Sequence, residues 1–219
     1  MSAPLPPTAR TRLRRHPERG SFDRATLHRI LDEGLVCHVG FTDGGQPYVI
    51  PASYGRDGDR LVLHGAVASR MMAALASGAP ACVCVTLLDG VVLARSAFNH
   101  SMNFRSVVVL GRAVPVTGRE EKRAALRTIV EHVVPGRWDE LRATTDAELD
   151  ATTVVALPLD EASAKIRSGP PADAERDALL PVWAGVVPLE LRAGAPVPDA
   201  ATGPDRAAPE YAKAYSRRR

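Results

Sequence analysis

Short apolar runs broken by acid–glycine pairs are the feature that most limits what this sequence can fold into. Asp43-Gly44-Gly45, Asp57-Gly58 and Asp89-Gly90 each separate two such runs. Pairs of this kind fit the left-handed φ angles of tight hairpin turns. Reading outward from them gives strands over residues 35–42, 47–54, 61–64, 81–88 and 91–97. Further strands follow over 106–115 and 152–159, with 163–167 beyond a bulge. A last strand spans 181–191 and contains Trp183. Pro51 lacks a ladder donor, so the second strand lies at an edge or carries a bulge.

Helical spacing interrupts these strands, and two or three helices are expected. Ser21 stands as the cap of a helix to about Glu33, with Phe22, Leu27, Ile30 and Leu31 inward and Gly34 as the stop. Ser69 caps a helix with Met71, Met72 and Leu75 on one face, ended by Gly78. Thr117 and Glu120 match a capping box opening a helix to about Val134. Residues 138–149 read as a shorter helix. Six to eight antiparallel strands with few helices give an α+β chain, a split or closed antiparallel β-barrel with flanking helices. The chain divides into a basic Pro/Arg-rich arm (1–20), one domain (21–192) and a low-complexity tail (193–219) expected to be loosely held.

Of 219 residues 45% are hydrophobic, enough for a real core, and no apolar run approaches the ~20 residues of a membrane span. The start has no signal-peptide core, so a cytoplasmic protein is expected. Net charge is only +3, with arginines crowded at both ends. No aromatic residues interleave with them and no nucleic-acid motif follows, so solvated tails fit better than a nucleic-acid interface. Cys37, Cys82 and Cys84 lack metal-site spacing and read as small buried hydrophobes. GxGxxG and P-loop patterns are absent, and no serine sits in a nucleophile elbow.

Two stretches carry polar groups in suggestive places. In LVLHGAVASRMMAAL, residues 61–75, a strand ends at His64, Gly65 breaks it, and Ser69-Arg70 opens a helix. Backbone N–H groups, a hydroxyl and a guanidinium make a phosphate site. An ordinary N-cap beside a solvated arginine accounts for the same residues. His64 divides evenly between a ligand-facing histidine and one hydrogen-bonded to backbone. In FNHSMNFRS, residues 98–106, Ser101, Asn103, Arg105 and Ser106 gather before an apolar strand. They suit an anionic or heterocyclic ligand, or form a solvated loop.

The fragments PYVIPASY, LHGAVASRM, NHSMNFRSVVVLGRA, KIRSG and PVWAGVVPLE, in this order and spacing, resemble the FMN-binding split-barrel superfamily of pyridoxamine 5'-phosphate oxidase. The likeness covers about residues 22–191. It is nearest to the flavin-nucleotide-binding branch that includes 5-nitroimidazole-resistance proteins. It implies a homodimer with FMN sites at the subunit interface and a flavin oxidoreductase acting on a small-molecule substrate. Val49, Ile50, Pro51 and Ala52 would run along the flavin ring. His64 and Gly65 would approach the ring or ribityl chain, and Ser69 and Arg70 would hold the phosphate. Asn103, Arg105 and Ser106 would reach the cofactor from the same or the partner subunit, with Trp183 beside it. A histidine in the position of His64 is a proposed active-site residue of the resistance branch, where it could give a proton to a reduced substrate. Superfamily members that carry haem or a deazaflavin make those the alternative cofactors, and a non-catalytic carrier the alternative function. The basic and aromatic C-terminal segment that grips pyridoxal phosphate in the oxidase has no counterpart after Trp183, which argues against that substrate.

Overall fold

The computed structural model describes residues 3–203 and 206–216. In chain order the elements are β1 (Gly20–Ser21), α1 (Arg24–Glu33), β2 (Val36–Asp43), β3 (Gln46–Ser53), β4 (Gly55–Asp57), β5 (Arg60–Ala66), α2 (Arg70–Ala76), β6 (Pro80–Leu93) and β7 (Ser101–Arg112). There follow β8 (Val114–Pro115), α3 (Arg119–Val133), α4 (Asp146–Asp150), β9 (Thr152–Pro158), β10 (Ala162–Arg167), β11 (Gly185–Pro188) and α5 (Glu210–Lys213). The strands form two antiparallel sheets. One runs β1-β10-β7-β6-β2-β3 with β11 also on β6, and the other runs β4-β5-β9-β8. This is the mostly antiparallel architecture with few helices that the turn pairs imply. It is consistent with a split barrel, although each sheet keeps two ends.

Strand alternation explains the layering. Val39, Phe41, Val83, Val85, Val107 and Val109 of the larger sheet face Leu61, Leu63, Val155 and Leu157 of the smaller one, and α1 and α2 add Leu27, Ile30, Leu31, Met71, Met72 and Leu75. The other face of the smaller sheet, Val62, Val154 and Ala156, packs on Ala125 and Ile129 of α3. Close approach there requires Gly55, where an added Cβ would stand 3.0 Å from the Ile129 backbone. The other face of the larger sheet is different. Register places Pro51, His38, Cys84, Val108 and Ser163 in one row across five strands. Val49, Gly40, Cys82 and Leu110 form the next row. The core contacts of all three longer helices lie on other faces.

Several local expectations change. Gly44 (φ 54°) and Gly45 (φ 82°) make the hairpin turn between β2 and β3, and among the described residues β3 pairs only with β2, the edge position that suits Pro51. Asp89-Gly90 does not turn the chain. It forms a bulge inside the continuous strand β6, because β11 pairs with β6 from Leu93 to Gly90 and holds it extended. The polar stretch after Asn99 is already strand β7 from Ser101 onward. The cap of α1 is Asp23, which accepts from Thr26 N–H at 2.9 Å, while Ser21 lies in β1. Gly118, not Thr117, precedes α3, and the capping box belongs to Thr145 and Glu148 of α4. Residues 138–149 hold a single 3₁₀ turn and the start of α4 rather than one helix.

The described parts of the arm and the tail are docked. Leu5 is buried in the main core, and its N–H bonds Phe22 O at 2.9 Å. Thr8 and Arg10 both bond the Glu161 carboxylate. In the tail, Tyr215 donates to Val133 O at 2.7 Å, and Arg137 donates to Tyr211 at 2.7 Å. Arm and tail thus do more than float in solvent, contrary to their composition. No helix among the described residues is long and apolar enough to cross a membrane.

Candidate functional site

The stretch around Ser69 folds as its residue types dictate. Ser69 has extended backbone angles and its hydroxyl accepts from Met72 N–H at 3.4 Å, so it is the cap of α2. The helix is only 7 residues long, so the guanidinium beside it matters more than its dipole. Arg70 does not wander in solvent. Its Nη1 donates to the Tyr48 hydroxyl at 2.7 Å, its guanidinium carbon lies 4.9 Å above the Tyr48 ring, and its Nε stands 3.4 Å from Asp43. Tyr48 stacks in turn on Phe41 with centroids 5.5 Å apart. The β2–β3 hairpin therefore fixes the Arg70 head beside strand β3.

Strand β3 offers two things to a neighbouring molecule. Tyr48, Ile50 and Ala52 point into the core, while Val49 and Pro51 point out, and Val49 is 68% exposed. Among the described residues β3 bonds only to β2, so the backbone groups of its far edge face outward. Such an edge can hydrogen-bond a flat heterocycle while Arg70 takes an anionic tail.

His64 and Gly65 follow each other on β5 and face opposite ways. Gly65 shares the face of Leu63, and an added Cβ would stand 2.8 Å from Met72 Cγ, so the glycine lets α2 close on the strand. His64 shares the face of Val62 and pairs with Val154. Its Nδ1 is buried with no hydrogen-bond partner among the described residues. Burial lowers the His64 pKa, so the ring is neutral at pH 7. A neutral imidazole with an unmet nitrogen is suited to bond or ligate an incoming group, and poorly suited to deliver a proton.

Asn103, Arg105 and Ser106 lie on β7, three strands from β3 in the same sheet. Arg105 is engaged on both sides, by Glu33 at 2.5 Å and Asp89 at 2.7 Å, and these carboxylates raise its pKa. Ser106 donates to Lys165 O at 3.4 Å. Asn103 is buried, donates to Gly169 O at 3.2 Å and accepts from Arg167. Trp183 precedes β11 rather than lying in it. It is 67% exposed, and its ring covers the space where a Cβ of Gly185 would be, 2.7 Å away. Near it Met102, Val91 and Val187 share a register row on the outer sheet face.

The expected residues thus fall into separate places within one chain. Arg70, with Ser69 before it, reaches β3 through Tyr48, next to Val49, His64 lies on the face of β5 that it shares with Val62, and Asn103, Arg105, Ser106 and Trp183 lie across the larger sheet. The sequence reading omitted Tyr48 and Asp43, the partners of Arg70, and Arg167, the partner of Asn103. Tyr48 was legible as an inward position two before Ile50. Of the cysteines, Cys37 is buried, and burial pushes its thiol up to about 12, while Cys82 and Cys84 lie half-exposed on the outer face.

The profile of the pyridoxamine 5'-phosphate oxidase family matches residues 23–166. The chain belongs to this family. The flavocytochrome Anf3 of Azotobacter vinelandii is 41% identical with a TM-score of 0.89, over 95% of this chain and 97% of that one. The FAD and heme binding protein of Mycobacterium smegmatis is 39% identical with a TM-score of 0.85, over 88% of this chain and 95% of that one. A candidate 5-nitroimidazole antibiotic resistance protein of Bacteroides thetaiotaomicron VPI-5482 is 27% identical with a TM-score of 0.52, over 66% of this chain and 84% of that one. No functionally curated protein matches the chain.

Proposed function

We propose that this protein binds a flavin nucleotide, FMN in the simplest case, and serves as a flavin-dependent oxidoreductase for a small molecule. The observation that carries the reading is the Arg70 guanidinium, fixed by Tyr48 and Asp43 beside the free edge of β3. Arg70 and Ser69 would hold the phosphate, and the backbone of residues 49–52 would run along the ring. The unmet Nδ1 of His64 is the kind of orphaned polar atom that a bound group satisfies. The flavin would supply the electron chemistry, and the chain would orient it and limit access. Haem is the second reading. It is favoured by the flavocytochrome and the FAD and heme binding protein, which span nearly the whole chain. The apolar row of Met102, Val91 and Val187 beside Trp183 fits a large flat group of that kind.

A homodimer belongs to the same proposal. The outer rows of the larger sheet, with Val49, Leu88, Met102 and Val187 all strongly exposed, form a broad apolar face that an isolated chain leaves wet. A second copy, laid face to face, would cover it and bring β7 of one chain toward β3 of the other.

The test is the absorbance and mass of whatever co-purifies, with FMN, FAD and haem titrated into the stripped protein. A yellow protein bleached by a reductant supports the flavin, and a Soret band supports haem. A colourless protein that takes up neither FMN nor FAD would overturn the proposal. Light scattering is expected to give a dimer, and a stable monomer still holding flavin would remove the interface argument.

A further inference from the structure

Arg167 is 7% exposed and lies at the end of β10, opposite Phe104 of β7. Its Nη1 donates to Asn103 Oδ1 and to Gly169 O at 3.4 Å, and its Nη2 donates to Pro170 O at 3.1 Å. Among the described residues no carboxylate pairs with it. Burial and, less strongly, the cation Arg19 lower its pKa, and Arg19 itself stands 3.7 Å from Glu18. Lys165 lies two residues back on the same face, likewise without an acidic partner among the described residues.

Other arginines of the chain differ. Arg10, Arg56, Arg95 and Arg105 each reach a carboxylate within 3.0 Å. A buried guanidinium held only by an amide and carbonyls, with more positive charge beside it, is electrostatically incomplete. An oxyanion would complete it, because guanidinium meets phosphate or carboxylate with paired N–H donors.

We propose that Arg167, with Arg19 and Lys165, is the binding position for an oxyanionic group of a ligand, a phosphate or a carboxylate, separate from the Arg70 end of the sheet. Asn103 positions the guanidinium through Oδ1 and ties the Gly169 loop over it. The proposal does not depend on flavin binding, since inorganic phosphate alone should occupy the position. Its competitor is a purely structural role, in which Arg167 only straps residues 169–170 to β7.

The experiment is thermal melting of the full chain, stripped of cofactor, against inorganic phosphate and acetate at constant ionic strength set with chloride. Wild type is expected to gain about 2–4 °C at anion concentrations roughly fivefold above the dissociation constant. Arg167→Gln should lose a clear share of that gain and Arg167→Lys should keep part of it, and the same dependence on Arg167 should persist in the Arg70→Ala background, which removes the other proposed phosphate position. Wild type that melts at one temperature in phosphate, acetate and chloride overturns the site even if Arg167→Gln fails to fold. An equal gain in Arg167→Gln also overturns it. FMN and riboflavin titrations of the same variants then separate the sources. If Arg167→Gln weakens FMN about tenfold and leaves riboflavin unchanged, the oxyanion is the cofactor's phosphate. If both bind as in wild type while the anion-dependent gain is lost, it belongs to another ligand.

Discussion

Arg70 and Arg105 were expected to serve one cofactor, yet the structure gives them opposite surroundings. Arg105 sits between Glu33 and Asp89, with side chains 23% and 35% exposed, so its charge is more than matched and its donors are in use. Arg70 is 58% exposed, stacks on Tyr48 and shares a single, longer ion pair with Asp43. A guanidinium between two acids holds parts of the protein to one another. One that is fixed but only loosely paired is available to an outside anion. On the proposed reading the same residue type at two sites divides between stability and binding, and substitution should separate the two.

The largest effect should fall on stability, at the Arg105 end. Arg105→Ala leaves two half-buried carboxylates without the guanidinium that joins α1 to β6 and β7. Breaking such a pair costs about 3–5 kcal/mol when fully buried, and solvent screening here reduces the loss to about 2 kcal/mol. Denaturant unfolding should show that loss, while FMN affinity of the folded fraction stays within about twofold if Arg105 is wholly structural. A variant that is stable but has lost FMN would reverse the comparison.

Arg70→Ala should do the opposite. An exposed ion pair contributes about 0.2–1 kcal/mol, so unfolding should hardly change. A charge-assisted bond to a phosphate dianion contributes about 1.5–3 kcal/mol, so FMN affinity should fall roughly tenfold to a hundredfold. Riboflavin, which lacks the phosphate, should bind both proteins equally. Fluorescence quenching with the two ligands measures the difference. Smaller again is the effect of Asp43→Asn. Asp43 stands 3.4 Å from Arg70 and on the proposed reading would compete with the phosphate, so removing its charge should tighten FMN by roughly two- to fivefold at low salt. Equal affinity at low and high salt would mean that no phosphate comes near this pair.

What the sequence made legible follows from the range of the forces involved. Alternation and acid–glycine pairs are local, so β2, β3, β5, β9 and β10 are found nearly in place, and Ser69 caps α2 as its type suggests. The failures are places where a distant partner decides. Asp89-Gly90 looks like a turn until β11, nearly a hundred residues later, pairs across it. Leu5 and Tyr215 lie in segments of arm-like composition, but a buried side chain anchors the first and a hydroxyl bond to Val133 O the second. In the candidate site, residue type alone suggested Arg70 and Arg105 alike as anion holders, whereas the charge balance of Arg70, Arg105 and Arg167 depends on acids and amides far away in sequence. A guanidinium's role cannot be read before its counter-ion is known.

The smallest expected effect concerns His64, and it bears on the binding end. Burial holds its folded pKa below the unfolded value of about 6.5. The unfolded chain therefore takes up the proton first as pH falls. The stability that comes from burying the neutral ring is fully present above about pH 6.5 and is lost as pH falls toward the folded value. Melting of the stripped wild type should drop across that window, and His64→Gln should flatten the drop. A bound cofactor would change this in a way that reveals its contact. If it presents a donor to the unmet Nδ1, the neutral ring is favoured further, and the acid loss should steepen when FMN is bound. If it presents an oxyanion, the imidazolium is favoured and the loss should shrink or reverse. An acid limb that is the same with and without FMN, and the same in His64→Gln, would place the ligand away from this histidine. It would leave the Arg70 edge alone as the binding end.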